Sequence, residues 1–126
     1  MTVTNQFAAH VGLDWADKKH DVCVQFKNGE RVFHVIEHTA EALDAWLTEL
    51  HQKVKGRIAI ALELKKGPVV YALQKYPFIT VFPVHALSLA RYRQAFSPSG
   101  AKDDPQDAEL ALELMLRYPQ KIKAIE

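Results

Sequence analysis

A chain of 126 residues, 48% apolar and 25% charged, is long enough for one real core and short for a multi-domain enzyme, so a single domain over residues 1–126 is expected. Its one cysteine, Cys23, excludes an internal disulfide and a thiolate-rich metal site. No apolar run approaches the roughly 18 residues of a membrane span and no basic-then-apolar leader opens the chain, which points to a cytoplasmic protein without a membrane partner.

From Phe7 to Asp14 the chain reads as a strand, with Ala9, Val11 and Leu13 on one face and His10, Gly12 and Asp14 on the other. Asp14 therefore lies at a strand end. Trp15 to Lys19 is a polar turn, after which Val22, Val24 and Phe26 alternate as a second strand. Cys23 falls inside it as a buried, inert thiol. Asn28-Gly29 is a strong hairpin signal, and Arg31 to Glu37 returns as a third strand. His34 and His38 lie outside any zincin-type pattern and are read as structural or exposed.

Thr39 can cap a helix that places Leu43, Trp46, Leu47 and Leu50 on one face, and Lys55-Gly56 ends it. Arg57 to Leu64 is a strongly apolar strand closed by Glu63. A carboxylate at such a position needs a cationic partner or a metal to stay ionised. Gly67-Pro68 starts a helix that Pro77 stops, and Phe78 to Phe82 forms a fifth strand. Pro83 is expected to lead into a helix over His85 to Gln94, and Ser97 to Gly100 is a loop. The last helix spans Pro105 to Arg117 with Ala108, Ala111, Leu112 and Met115 available for burial. Three strands in a meander followed by alternating helices and strands match a ribonuclease H-like (RuvC-like) α/β fold: a mixed five-stranded sheet flanked by helices. In that fold the first strand and the strand after the first long helix lie side by side, which would put Asp14 and Glu63 close together.

The turn from Ala101 to Ala108 carries the other acids. With Asp104 as N-cap and Pro105 at the first helical position, Asp104 and Asp107 both project from the first turn. Capping alone explains this pattern, because such residues satisfy free N–H groups and complement the helix dipole. Four carboxylates, Asp14, Glu63, Asp104 and Asp107, are nevertheless the right donors for hard divalent cations, which take oxygen ligands. Two such ions can serve phosphodiester transfer.

Net charge is +1 overall but unevenly distributed. Residues 1–63 hold seven Lys/Arg against nine acids and residues 103–126 three against six, whereas no acid falls between Glu63 and Asp103. Lys65, Lys66, Lys75, Arg91, Arg93 and Lys102 populate that middle stretch, a charge pattern that suits a phosphodiester backbone or merely coats solvated helix faces. Tyr92 between Arg91 and Arg93 tilts the reading toward nucleic acid.

Val11-Gly12-Leu13-Asp14-Trp15-Ala16, His20-Asp21-Val22, Ala61-Leu62-Glu63, Phe82-Pro83-Val84 and Lys102-Asp103-Asp104-Pro105-Gln106-Asp107-Ala108 together resemble the N-terminal domain of DEDD transposases of the insertion-sequence one-hundred-ten family. These are related in fold to the RuvC Holliday-junction resolvase. The resemblance covers nearly the whole chain. It implies a catalytic and metal-binding tetrad of Asp14, Glu63, Asp104 and Asp107, with magnesium or manganese as cofactor and DNA strand cleavage and joining in transposition as the reaction. Asp103 stands where the family often has a small polar residue, so the choice between Asp103 and Asp104 as ligand stays open.

Further family traits follow from the same resemblance. Members carry a second, C-terminal domain that supplies a catalytic serine, which implies that this chain is the N-terminal part of a longer transposase, binds metal weakly and catalyses little alone. Lys65, Lys66, Arg91, Arg93 and Lys102 would meet DNA or an element-encoded guide RNA, and the full-length protein would be a homo-oligomer. Two rivals from other classes remain. One is a half of an actin-like ATPase or sugar kinase, disfavoured because Trp15 to Lys19 lacks a glycine for close approach to phosphate. The other is a non-catalytic nucleic-acid or protein interaction module in which the acids pair with Lys or Arg.

Overall fold

The computed structural model describes residues 7–16, 18–63, 69–96 and 107–118. These residues form β1 (Ala9–Asp14), β2 (Lys19–Phe26), β3 (Arg31–Glu37), α1 (Ala40–Val54), β4 (Ile58–Glu63), α2 (Val69–Gln74), β5 (Ile79–Val84), α3 (Ala86–Phe96) and α4 (Asp107–Arg117). The strands make one sheet in the order β3-β2-β1-β4-β5. β1 runs antiparallel to β2 and parallel to β4, so the meander and the crossover share β1 as their common strand.

Local chemistry sets the element ends. In the β2–β3 hairpin the Phe26 N–H donates to the Glu30 carbonyl and the Gly29 N–H to the Phe26 carbonyl, both at 2.9 Å. Gly29 takes φ 92°, a left-handed conformation that a side chain would resist. Thr39 caps α1 by accepting the Ala42 N–H at 3.0 Å. The helix ends at the expected Lys55-Gly56 stop, with the two residues in distinct roles. Lys55 itself is left-handed at φ 53°, while Gly56 makes room for Ala8, whose Cβ would lie 2.8 Å from a Cβ at position 56.

Two further expectations are corrected. Pro83 does not end the fifth strand but sits inside β5, opposite Leu62. β5 is an edge strand, where the missing N–H costs no ladder bond. At the other end, Phe7 lies outside β1 yet is only 2% exposed, packing its ring against Phe82 at 5.8 Å.

The sheet separates two apolar clusters. On one face Val11, Leu13, Ile60 and Leu62 pack with Leu43 and Leu47 of α1 and Leu73 of α2. On the other, Cys23, Ala59 and Ala61 pack with Ala108, Ala111 and Leu112 of α4. Among the described residues no helix is long and apolar enough to cross a membrane.

Candidate functional site

Asp14 is the last residue of β1 and Glu63 the last of β4. The parallel register pairs Leu13 with Leu62, so the two acids stand one step further along adjacent strands, on strands about 4.8 Å apart. Alternation puts Asp14 on the same face as Gly12, and Glu63 on the same face as Ala59 and Ala61. That is the face covered by α4. Both side chains are half-buried.

Gly12 is the reason α4 reaches this end of the sheet. A Cβ at position 12 would collide with the carbonyl oxygen of Ala108 and lie 2.9 Å from Cβ of Leu112. The first turn of α4 therefore rides directly on the β1 backbone, two residues from Asp14. Asp107, half-buried, immediately precedes Ala108. Three of the four expected acids thus belong to one face and one end of the sheet, whereas Asp104, and Asp103 with it, lies outside the described residues.

A fifth acid, Asp21, joins them. It is directly opposite Asp14 in the β1–β2 ladder, and opposite residues of an antiparallel pair project from the same face. Like charges so placed are destabilising by themselves, and a cation between them would reverse the sign. Among the described residues no group of three or more His, Cys, Asp or Glu is close enough to hold a metal ion. The donor set around this sheet end is nonetheless all carboxylate oxygen, the chemistry that suits magnesium or manganese.

The turn after Asp14 is held by a histidine that sequence patterning missed. His20 is fully buried, stacked on Trp15 with ring centroids 3.6 Å apart. Its Nδ1 accepts the Ala16 N–H at 3.0 Å, which leaves the proton on Nε2 to be donated to Nδ1 of His38, 3.1 Å away. Burial first, and the neighbouring His38 second, lower the His20 pKa, so the neutral ring that this chain of bonds requires is the favoured form. The signal was faint because β2 begins at Lys19, earlier than its apolar alternation suggests.

α4 is fixed laterally by Arg31 of β3. Its guanidinium donates to Glu109 at 3.0 Å and to Glu113 at 2.8 Å, and Arg117 donates to the other Glu113 oxygen at 3.2 Å. Burial would raise the Glu113 pKa, but the bonds from Arg31 and Arg117 outweigh it and hold the carboxyl below its ordinary value. Nearby, burial pushes the Cys23 thiol up to about 11, which agrees with an inert core cysteine.

The basic residues divide. Arg91 is exposed on α3, and Arg93 belongs to the same helix. Lys65, Lys66 and Lys102 lie outside the described residues. Tyr92 corrects the expectation attached to it: half-buried, it packs against the α4 cluster and meets Tyr118 edge-on at 6.2 Å. It is a packing residue more than a platform for a base.

Comparison with known proteins bears on the fold and the family. Against solved structures, the chain superposes on T. thermophilus RuvC, solved in complex with a Holliday junction substrate, with a TM-score of 0.64 at 11% identity, covering 93% of this chain and 99% of that one. The fold is therefore ribonuclease H-like. In sequence it is 36% identical over 124 residues to the putative transposase y4uE of Sinorhizobium fredii (strain NBRC 101917 / NGR234), covering 94% of this chain and 34% of that protein. It is 33% identical over 111 residues to the mini-circle putative transposase for IS117 of Streptomyces coelicolor, covering 84% of this chain and 26% of that protein. The chain thus spans about a third or less of the length of these relatives. Residues 11–126 match the family of DEDD transposases of IS110 type, described as Transposase, and the chain belongs to that family.

Proposed function

We propose that this chain is the RuvC-like catalytic domain, and the N-terminal part, of a longer DNA transposase that cleaves and joins DNA strands. The observation that carries the reading is the placement of Asp14 and Glu63 at adjacent strand ends, with the start of α4 laid over Gly12 on the same face. Asp14, Glu63, Asp104 and Asp107 would supply oxygen ligands to magnesium or manganese. When bound, such an ion activates an attacking oxygen and stabilises the leaving one in phosphodiester transfer. Carboxylates on three different elements fix the approach of the backbone phosphate from the α4 side of the sheet. Lys65, Lys66, Arg91, Arg93 and Lys102 would bind that backbone through charge, whether it belongs to DNA or to a guide RNA.

The supporting facts are family membership and the all-oxygen donor set. Because no three described acids stand at metal-holding distance, the site is expected to close only with the ion, nucleic acid and the remainder of the protein present. Little activity is therefore expected from this chain alone.

A titration of the 126-residue chain with magnesium and manganese, followed by amide chemical shifts, tests the reading. Saturable shifts at Asp14, Glu63 and Asp107 are expected, and Asp14→Asn should abolish them. The metal-free amide spectrum of the same variant should stay that of a folded chain, so that loss of the shifts reports the ligand. In the longer protein, each of Asp14→Asn, Glu63→Gln, Asp104→Asn and Asp107→Asn should lower strand cleavage by roughly 100-fold or more, the usual scale for loss of one preorganised electrostatic contact. Cleavage that survives Asp14→Asn would refute the assignment, and a clear loss of stability in that variant would favour the interaction-module reading.

A further inference from the structure

The two edges of the sheet are guarded differently. β5 carries Pro83, a residue that blunts an edge. β3 has no proline or lysine, and its central Phe33 and Val35 are 48% and 59% exposed. Both project from the α4 side of the sheet, because they lie opposite Cys23 and Asp21 of β2. A seven-residue edge with exposed Phe33 and Val35 near its centre and no proline or lysine is a template for another strand.

The phase of the ladder says which groups that edge offers. The Phe26 N–H bonds to the Glu30 carbonyl, and hydrogen-bonded pairs alternate from there along the ladder. Val32, His34 and Ile36 therefore turn their backbone groups toward β2, while Arg31, Phe33, Val35 and Glu37 turn theirs to the open edge. In an antiparallel pairing of β3 with itself centred on His34, residues whose numbers sum to 68 come opposite one another. Arg31 then meets the partner's Glu37, and Phe33 meets the partner's Val35, each twice. Every hydrogen-bonding position in that register is one whose N–H and C=O already face outward. Side-chain volume and backbone phase agree on the same alignment, while the Arg31 guanidinium stays with Glu109 and Glu113 of its own chain.

We infer that β3 is a self-complementary docking edge for a second copy of this chain, joining two five-stranded sheets into one continuous sheet about a twofold axis at His34. The axis is perpendicular to the sheet, so both α4 faces and both Asp14–Glu63 ends lie on the same side. Five strand spacings separate one Asp14 from the partner's Asp14, roughly 24 Å in a flat sheet. That arrangement presents two carboxylate ends to two strands at once. The pairing itself does not depend on the proposed chemistry.

A single seam of this size buries less than the ~1,200 Å² at the low end of stable interfaces, so a weak dimer is expected. Its test is disulfide trapping combined with sedimentation equilibrium on the 126-residue chain. His34→Cys places two cysteines at a non-hydrogen-bonded antiparallel position, with Cα atoms about 4.5 Å apart, inside the disulfide range. It should give a covalent dimer under mild oxidation. The wild type should not, because Cys23 is buried. Phe33→Cys, one residue off the axis and so offset by two from its own copy, leaves its Cα atoms more than about 7 Å apart and should trap poorly. Val35→Lys should weaken sedimentation dimers at least tenfold, with an unchanged melting curve to show that the exposed substitution leaves the fold intact. The inference is overturned if wild type stays monomeric at about 1 mM and His34→Cys forms no disulfide, if Phe33→Cys traps as fast as His34→Cys, or if Val35→Lys leaves the dimer untouched. These outcomes are read from association and crosslinking of the metal-free chain, so they stand or fall separately from the metal titration at Asp14.

Discussion

The two faces of the sheet are built on opposite rules. Toward α1 and α2 the strands offer large aliphatics, Val11, Leu13, Ile60 and Leu62, and the helices answer with leucines. Toward α4 they offer Gly12, Cys23, Ala59 and Ala61, and the helix answers with Ala108 and Ala111. Large residues at the first face maximise buried apolar area. Small residues at the second bring a helix down onto the backbone, at the expense of area, and that descent delivers Asp107 to the end of β1. Both faces bury large apolar side chains, Phe82, Leu112 and Met115 among them on the α4 side. Among the described residues, however, only the α4 face brings a helix onto strand backbone, at Gly12.

Adding bulk to the close-packed face should have the largest effect. Gly12→Val directs a branched side chain into the Ala108 carbonyl and Cβ of Leu112, and neither backbone can yield without moving α4 as a whole. Overpacking in a core ordinarily costs about 1–3 kcal/mol, but here the obstacle is backbone, so loss of cooperative thermal unfolding is expected. Removing bulk from the other face comes next. Leu47→Ala, at a position with no exposure, should cost about 2–5 kcal/mol in urea denaturation while leaving the amide shifts of residues 107–112 in place. Equal sensitivity of both faces to added bulk would erase the distinction.

The ion pairs that hold α4 laterally rank third. Glu113→Gln keeps the shape but surrenders two charged contacts, and about 1–3 kcal/mol is expected from chemical denaturation, since Arg31 retains Glu109. The sign with pH follows from the depressed Glu113 pKa. A carboxyl whose folded pKa lies below its ordinary 4.5 contributes stability in full above that value, and the contribution disappears as pH falls through the folded pKa. Glu113→Gln should therefore flatten the acid limb of the stability profile below about pH 4.5 and lower the plateau above it.

What could be seen in the sequence follows the same division. Asp14 and Glu63 stood out because an acid closing an apolar strand violates local patterning, and the α1 face was legible from Leu43, Trp46, Leu47 and Leu50 at helical spacing. Gly12 and Asp21 appeared only as members of the family motifs, without a role, since their meaning lies in a helix 96 positions away, at Ala108, and in a partner strand. Arg31 was likewise opaque: its partners are 78 and 82 residues distant. Pro83 misled because a proline reads as a strand end until the strand is known to be an edge. Tyr92 misled because an aromatic between two arginines fits a nucleic-acid surface and a helix packing seam equally well.

The smallest expected effect falls on the aliphatic face and runs the other way. Lys55 closes α1 in the left-handed conformation at φ 53°, its N–H donating to the His51 carbonyl at 2.7 Å. A residue with a Cβ is held there at a cost of roughly 1–2 kcal/mol, while glycine at the same place is free of that strain but loses more chain entropy on folding. The two terms leave a net gain of about 0.5–1 kcal/mol for Lys55→Gly, read as a rise in melting temperature. Gly56 cannot take over this role without displacing the cap by one residue, and its own position is spoken for by the approach of Ala8. Gly56→Ala should therefore destabilise although its neighbour gains from glycine. If both substitutions stabilised, the close approach of Ala8 would be immaterial, and the end of α1 would be set by propensity alone.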